Sequence, residues 1–207
     1  PAGIEIICAR DAFFSGDAAT HYRLGYTLAA LGDLDGDGCH EVAMAANNRP
    51  YAKLGTAYII YGWGPLCSKP QAEVVAFREL SFSYTRITQM AAADMDGDGL
   101  QDLLVTDIER MQGDDAFGAV HLIPAARINS LPREPFVSGV IPKDEHLYKD
   151  PASPGIYSVF GKTAKGLFGA AVGRVPLLGG DGRDAIVVGS PQSDVGGVAK
   201  TGGAFIY

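Results

Sequence analysis

The sequence has no long hydrophobic run, since no stretch approaches the ~20 consecutive apolar residues that a membrane-spanning helix needs. We therefore expect no membrane insertion by this segment. It also has no Gly-x-Ser-x-Gly, Cys-x-x-Cys or phosphate-binding glycine motif, and its four histidines share no metal-ligand spacing. Two of them, His40 and His121, are interpreted as solvated surface residues; the others are His21 and His146. No enzymatic activity is expected of this chain.

The chain has fewer basic than acidic residues, 17 against 24, and few cysteines. The formal charge is −7, which argues against a nucleic acid as the partner. The three cysteines are an odd count and do not form a disulfide framework, and no Asn-x-Ser/Thr glycosylation site is present. Glycine, by contrast, is abundant at 27 of 207 residues, which is typical of many tight turns between short strands.

Two acidic segments, at 33–41 and 94–102, share the pattern Asp-x-Asp-Gly-Asp-Gly-x-x-acid. Four carboxylates so close in sequence repel one another unless a hard divalent cation lies between them. The glycine at position 6 permits the positive-φ turn that folds such a loop around an ion. We therefore predict two calcium ions, each bound by side-chain oxygens at positions 1, 3, 5 and 9 and by the backbone carbonyl at position 7. The predicted ligands are Asp33, Asp35, Asp37, Glu41 and the Cys39 carbonyl in the first loop, and Asp94, Asp96, Asp98, Asp102 and the Leu100 carbonyl in the second.

The loops are not predicted to be EF-hands. An EF-hand loop also begins Asp-x-Asp-x-Asp-Gly, but it needs a bidentate Glu at position 12 and a helix on each side. Position 12 is Met44 in the first loop and Val105 in the second. The short apolar runs that follow, 42–46 and 103–105, suit buried strands better than helices.

The residues around the acidic loops repeat as well. Leu24-Gly25 and Ala45-Ala46-Asn47 in the first unit correspond to Phe168-Gly169 and Gly189-Ser190-Pro191 in the third. Together with the acidic loops, this pattern resembles the FG-GAP repeat of integrin α-subunit β-propellers, over nearly the whole chain and in three units. The third copy of the acidic loop, 177–184, keeps only Asp181 and Asp184 and adds Arg183, so no third metal is expected.

The resemblance implies an all-β fold of β-propeller blades, each of four antiparallel strands, in one propeller segment over residues 1–207. The expected blade units are 21–80, 81–141 and 165–207, with an N-terminal strand at 4–8 that completes a blade. The expected strands are Tyr26–Leu31, Glu41–Ala46, Thr56–Tyr61 and Glu73–Phe77, then Arg86–Ala92, Asp102–Thr106, Ala119–Ile123 and Phe136–Ile141, then Gly169–Val175, Ala185–Gly189 and Ala204–Tyr207.

In such blades the calcium loops lie on one face, the bottom, and the loops between the second and third strands lie on the opposite top face. The segments between blades are also expected on top, including 78–83 and the long segment 142–165. A bridge between Cys39 and Cys67 is predicted because both would lie at the bottom ends of neighbouring strands, although two free thiols are the alternative.

The resemblance implies an extracellular or cell-surface binding module, stiffened by calcium, that presents its top loops to a protein or glycan ligand. The alternative is a structural propeller segment of a larger secreted protein whose enzymatic domain lies elsewhere. Three blades cannot close a ring that typically has about 4–8. We therefore expect either a homodimer that closes the propeller or a part of a longer propeller, and the start without Met and the end at Tyr207 favour the second.

Overall fold

Short apolar runs bounded by glycine-rich turns form the strands of this protein. The computed structural model describes residues 25–47, 54–63, 76–83, 86–112, 115–131, 134–135, 155–176 and 180–207. The elements in chain order are β1 (Leu28–Gly32), β2 (His40–Asn47), β3 (Leu54–Trp63), β4 (Ala76–Ser83), β5 (Gln89–Ala93), β6 (Asp102–Asp107), β7 (Met111–Gln112), β8 (Asp115–Ala116), β9 (Ala119–Ile123), α1 (Ala125–Asn129), β10 (Glu134–Pro135), β11 (Tyr157–Phe160), β12 (Ala171–Val175), β13 (Ala185–Ser190) and β14 (Gly203–Ile206).

These strands form three antiparallel sheets and a two-stranded hairpin, β7-β8. The first sheet has the order β1-β2-β3-β4-β10, the second β11-β9-β6-β5 and the third β12-β13-β14. In each sheet, the strand that comes first in the chain lies at an edge: β1 in the first sheet, β5 in the second and β12 in the third. Strand β5 contacts both β1 and β12. The expected all-β class with antiparallel strands is therefore confirmed. No helix in the described part of the chain is long and apolar enough to cross a membrane.

The second sheet packs between the other two sheets. Its strand β6 is buried along its whole length. Leu103 and Val105 pack into a cluster with the first sheet, whereas Leu104 packs into a cluster with the third. Because successive side chains on a strand point to opposite faces, a strand covered on both sides needs apolar residues at consecutive positions. This explains the uninterrupted run Leu103-Leu104-Val105.

Phe168 and Gly169 join the third sheet to the second. Phe168 is buried, and its ring lies edge-on to that of Phe205 at 5.8 Å between centroids. Gly169 has a φ of 91°, and a Cβ at this position would lie 3.1 Å from the Cβ of Thr106. A side chain at 169 would therefore be strained by both the backbone and the neighbouring sheet. The sequence motif thus marks the place where two sheets approach closely.

The backbone also relates the first and third units to each other. Gly25 N donates to Ala45 O at 3.0 Å, and Gly169 N donates to Gly189 O at the same distance. Donor and acceptor are separated by the same number of residues in both bonds. The correspondence between Leu24-Gly25 and Phe168-Gly169 in the sequence is matched by this bond.

Several expected boundaries were wrong. The fourth strand of the first sheet, β4, includes residues 78–83, so these residues are strand and not a connection between blades. The outer strand of the second sheet is β11, which lies inside the segment 142–165 expected to be a loop. The helix α1 was not predicted. The strands expected at 4–8 and 136–141 lie outside the described residues.

Candidate metal centres

Each acidic segment forms the loop between the first two strands of a sheet. The first joins β1 to β2 and is closed by the pair Gly32↔Glu41; the second joins β5 to β6 and is closed by Ala93↔Asp102. Gly32 and Ala93 are 61 residues apart in the sequence, and so are Glu41 and Asp102. The loops therefore occupy the same place in consecutive sheets, as the repeat in the sequence predicts.

In the first loop, the chain curls around the carboxylate at position 1. Asp33 Oδ1 accepts a hydrogen bond from Asp37 N at 3.0 Å, and Asp33 Oδ2 accepts one from Gly38 N at 2.9 Å. Asp37 Oδ1 accepts from Cys39 N at 2.8 Å. Gly36 and Gly38 have φ values of 74° and 84°. Residues with a Cβ rarely adopt this conformation, so the glycines make the curl possible.

The second loop has a similar arrangement, although Oδ1 of its position 1 aspartate accepts from position 4 rather than from position 5. Asp94 Oδ1 accepts from Gly97 N at 2.7 Å, and Asp94 Oδ2 accepts from Gly99 N at 2.9 Å. Asp98 Oδ1 accepts from Leu100 N at 2.8 Å, which matches the bond between positions 5 and 7 of the first loop. Gly97 and Gly99 have φ values of 83° and 89°. The shared sequence pattern has therefore produced a shared loop structure.

The carboxylates at positions 1, 3 and 5 converge in both loops. Each offers one oxygen, and the three oxygens of a loop lie within 4.8 Å of one another. Because calcium binds oxygen at about 2.3–2.6 Å, two ligands of the same ion are at most about 5 Å apart. The donor sets fit a hard divalent cation in both distance and chemistry. Their members are Asp33, Asp35 and Asp37 in one loop and Asp94, Asp96 and Asp98 in the other.

The acids at position 9 lie outside these two groups of three. Glu41 is buried, and its Oε2 accepts a hydrogen bond from Leu34 N at 2.6 Å. Asp102 is also buried, and its Oδ2 accepts from Met95 N at 3.0 Å. Both bonds join position 9 to position 2 and hold the two ends of the loop together. Their role as calcium ligands stays a prediction, as does that of the carbonyls at position 7.

Asp102 has a second backbone partner, because its Oδ1 accepts from Ala125 N at 2.9 Å. Burial raises the pKa of Asp102 to about 6, although the hydrogen bonds from Ala125 and Met95 oppose the rise. The negative charges of Asp96 and Asp98 raise this pKa further. A divalent cation among these carboxylates would instead favour the ionised form.

The second loop is tied to the third sheet through Asp184. Asp94 N donates to Asp184 Oδ2 at 2.8 Å, and Asp184 N donates to Asp94 O at 2.7 Å. Asp184 Oδ2 also pairs with Arg174 Nε at 2.6 Å. The degenerate third loop therefore supports its neighbour through this aspartate. Sequence reasoning noticed Asp184 as a remnant of a calcium loop but did not predict this contact.

The first loop has a different neighbour, the helix α1. Asn129 Nδ2 donates to Leu34 O at 2.7 Å. Since α1 follows the third strand of the second sheet, this bond connects the first loop to the second sheet. Nothing in the sequence pattern pointed to Asn129, because its partner lies 95 residues away.

The two histidines interpreted as solvated differ in the structure. His40 is exposed, as expected, but His121 is fully buried and lies within 2.8 Å of Ser158 Oγ through its Nδ1. The interpretation was therefore wrong for His121, because its strand is covered on both faces. Burial lowers the pKa of His121 to about 4, and the positive charge of Arg110 contributes to the shift.

Cys39 is disulfide-bonded. The other two cysteines of the chain, Cys8 and Cys67, both lie outside the described residues, so the choice of Cys67 as its partner stays a prediction. The bond places a covalent cross-link inside the first acidic loop, at position 7.

The comparisons with known proteins add no relative. No family model matches the chain, and a search of curated proteins finds no match either.

Proposed function

We propose that this chain is an integrin-like segment of a β-propeller built from FG-GAP repeats, stabilised by two calcium ions, and that it acts as an extracellular binding module. In this proposal the three sheets are consecutive blades, and β1, β5 and β12 are their inner strands. The succession of contacts from β1 to β5 to β12 supports this arrangement, since the inner strands of neighbouring blades lie side by side.

The observation that carries the proposal is the duplication of the acidic loops. The two segments have equivalent closing pairs and three converging carboxylates each. In both, the position 1 aspartate accepts two backbone hydrogen bonds and the position 5 aspartate accepts one from position 7. Three carboxylates this close together repel one another, and a divalent cation bound between them would relieve that repulsion in both loops. Calcium bound in each loop would supply charge neutralisation, and the aspartates would hold it through oxygen atoms. Two ions would change the formal charge from −7 to −3, because each adds two positive charges.

An extracellular location is part of the proposal. Weak all-oxygen calcium sites suit the millimolar calcium found outside cells. The disulfide at Cys39 also favours an oxidising compartment, because cytosolic thiols are kept reduced. The proposed ligand is a protein or a glycan, held by the loops at the end of the sheets opposite the acidic loops. No catalytic role is assigned to the chain.

Calorimetric titration with calcium tests the proposal. The native protein should bind two ions, and the variants Asp33→Asn/Asp35→Asn and Asp94→Asn/Asp96→Asn should each bind one. Binding to the folded state alone stabilises it by about 2.7 kcal/mol per site at a hundredfold excess over Kd, so a chelator should lower the Tm clearly.

The matched control is Asp181→Asn. Asp181 is an exposed aspartate of the degenerate third loop, and its substitution should leave the stoichiometry at two. Absence of heat at millimolar calcium, or an unchanged Tm in chelator, would overturn the calcium assignment.

A further inference from the structure

One surface of the third sheet lies opposite the acidic loops. Strand β13 begins directly after Asp184, which contacts the second acidic loop, and ends at Ser190. The segments 161–167 and 191–202 meet there: Gln192 N donates to Gly166 O at 3.0 Å, and Ser190 Oγ donates to the same oxygen at 2.9 Å. We call these two segments the lysine surface.

The lysine surface is basic on a chain that is acidic. Its three lysines are exposed: Lys162, Lys165 and Lys200. Its one acidic residue, Asp194, accepts a hydrogen bond from Lys200 N at 2.8 Å through its Oδ1. Three lysines and one aspartate leave a net charge of +2, whereas the whole chain has −7. The charge of this surface is therefore opposite in sign to that of the chain and of the acidic loops.

Backbone strain is concentrated on this same surface. Among the described residues, fourteen glycines have positive φ, and the non-glycine residues with positive φ are Lys165 at 60°, Leu167 at 59° and Lys200 at 54°. All three belong to the lysine surface. Each such residue costs roughly 1–2 kcal/mol relative to a right-handed conformation, a cost that glycine avoids. Strain of this kind clusters at functional sites.

The strained backbone is also fixed in place. Lys165 N donates to Ala116 O at 2.6 Å, and Gly202 N donates to Ser193 O at 3.0 Å. The lysine side chains therefore start from anchored positions. A backbone that is already fixed loses less entropy when a partner binds to it.

An exposed apolar pair accompanies the lysines. Val195 and Val198 pair across the turn Gly196-Gly197 through two backbone hydrogen bonds of 3.1 Å. Their side chains are 46% and 58% exposed. Two β-branched apolar side chains at the tip of a turn expose surface that a protein partner can cover, whereas a sulfated glycan offers mainly charge.

We propose that the lysine surface binds an acidic segment of a partner protein, whose carboxylates pair with Lys162, Lys165 and Lys200 and whose apolar side chains cover Val195 and Val198. This inference rests on the proposed binding function and names its partner class. Charge complementarity across such an interface favours an acidic partner over a basic one.

Fluorescence anisotropy with a labelled synthetic peptide of alternating Glu and Leu tests the proposal, in calcium and at two salt concentrations. The native protein should bind the peptide, and binding should weaken at high salt. Each exposed ion pair contributes up to about fivefold, so Lys162→Gln/Lys200→Gln should weaken binding about tenfold. Val195→Thr/Val198→Thr should weaken it several-fold without changing the charge.

The control is Ala126→Glu, which adds negative charge on an exposed position of α1 beside the acidic loops. It should leave the affinity unchanged, and a Lys/Leu peptide should not bind. Absence of binding by the Glu/Leu peptide, or equal binding by the lysine variant, overturns the inference. Binding of heparin without the peptide would assign the surface to a glycan and would also overturn it. Calcium titration of the same sample distinguishes the proposed function from this inference. If the protein binds two calcium ions but not the peptide, only the acidic partner of the lysine surface is contradicted.

Discussion

The two acidic loops have nearly the same internal structure but different surroundings. In both, the position 1 aspartate accepts two backbone hydrogen bonds and the position 5 aspartate accepts one from position 7. The first loop, however, receives an amide hydrogen bond from Asn129, whereas the second exchanges two hydrogen bonds with Asp184 of the third sheet. The loop structure is therefore local, but the link between each loop and the rest of the molecule is not.

This difference has a consequence for stability. A calcium ion that orders the second loop would also order the backbone of Asp94. Asp184 is bonded to that backbone twice, through its own N–H and through its carboxylate. The first loop is instead tied to the second sheet through the hydrogen bond from Asn129 to Leu34 O. The two sites should therefore contribute differently to the cohesion of the sheets.

The largest effect is expected from Asp184→Ala. The substitution removes the acceptor for Asp94 N and the partner of Arg174, and Asp184 is only 5% exposed. We expect a loss of about 2–3 kcal/mol in the free energy of unfolding, measured with urea in calcium. Asn129→Ala, which removes the hydrogen bond to Leu34 O in the first loop, should cost about 1 kcal/mol. Equal losses for the two variants would contradict the comparison.

A smaller difference is expected between two glycine substitutions. Gly36→Ala and Gly97→Ala both place a side chain at positive φ, which costs roughly 1–2 kcal/mol. A Cβ at 36 meets nothing within 4 Å, whereas a Cβ at 97 lies 3.3 Å from Cγ of Arg183. Thermal unfolding in chelator should therefore show a slightly greater loss for Gly97→Ala. The added variant Arg183→Ala should make the two losses equal.

The pH dependence of the calcium-free protein tests the burial of Asp102. Its folded-state pKa is about 6, above the ordinary value of 3.8, so its contribution to stability is complete below pH 3.8 and is lost as the pH rises through 6. In chelator, lowering the pH from 7 to 5 should add about 1 kcal/mol through this group. Asp102→Asn should lack that gain in urea unfolding at the two pH values. If both proteins respond equally to pH, Asp102 does not titrate as the structure indicates.

The smallest effect is expected from Arg183→Gln. Arg183 lies against Gly97 and places a positive charge beside the second loop. Removing this charge removes its repulsion of the calcium ion, so the calcium affinity of the second loop should rise at low salt. The increase should be only about threefold, because exposed charges interact weakly in water. Calorimetry on the background Asp33→Asn/Asp35→Asn isolates the second loop. The same substitution on the background Asp94→Asn/Asp96→Asn should leave the first loop unchanged.

The sequence predicted the third sheet well and the outer strands poorly. Residues 185–189 were expected as a strand and form most of β13, because an apolar run between glycine turns is a local signal. The run Tyr157–Phe160 also has strand-forming residues, but it was assigned to a loop. Its partner β9 lies far earlier in the chain, before α1 and β10, and only the folded chain brings the two strands together.

His121 shows the same limit for a single residue. The sequence indicates a strand at 119–123, and the structure has one. Which face of that strand meets water depends on the sheets that pack against it, and the second sheet is covered on both sides. A position in a strand therefore did not determine the exposure of the histidine.

The sequence by itself determined the acidic loops, because each short segment contains both the glycines that bend the backbone and the aspartates that accept its N–H groups. Every one of those internal bonds joins residues that are close neighbours in the chain. Only the tertiary structure decided that Asp184 and Asn129 support the loops, since their partners are 90 and 95 residues away. Contacts at such separations form when sheets pack, and packing depends on the whole core rather than on any one segment.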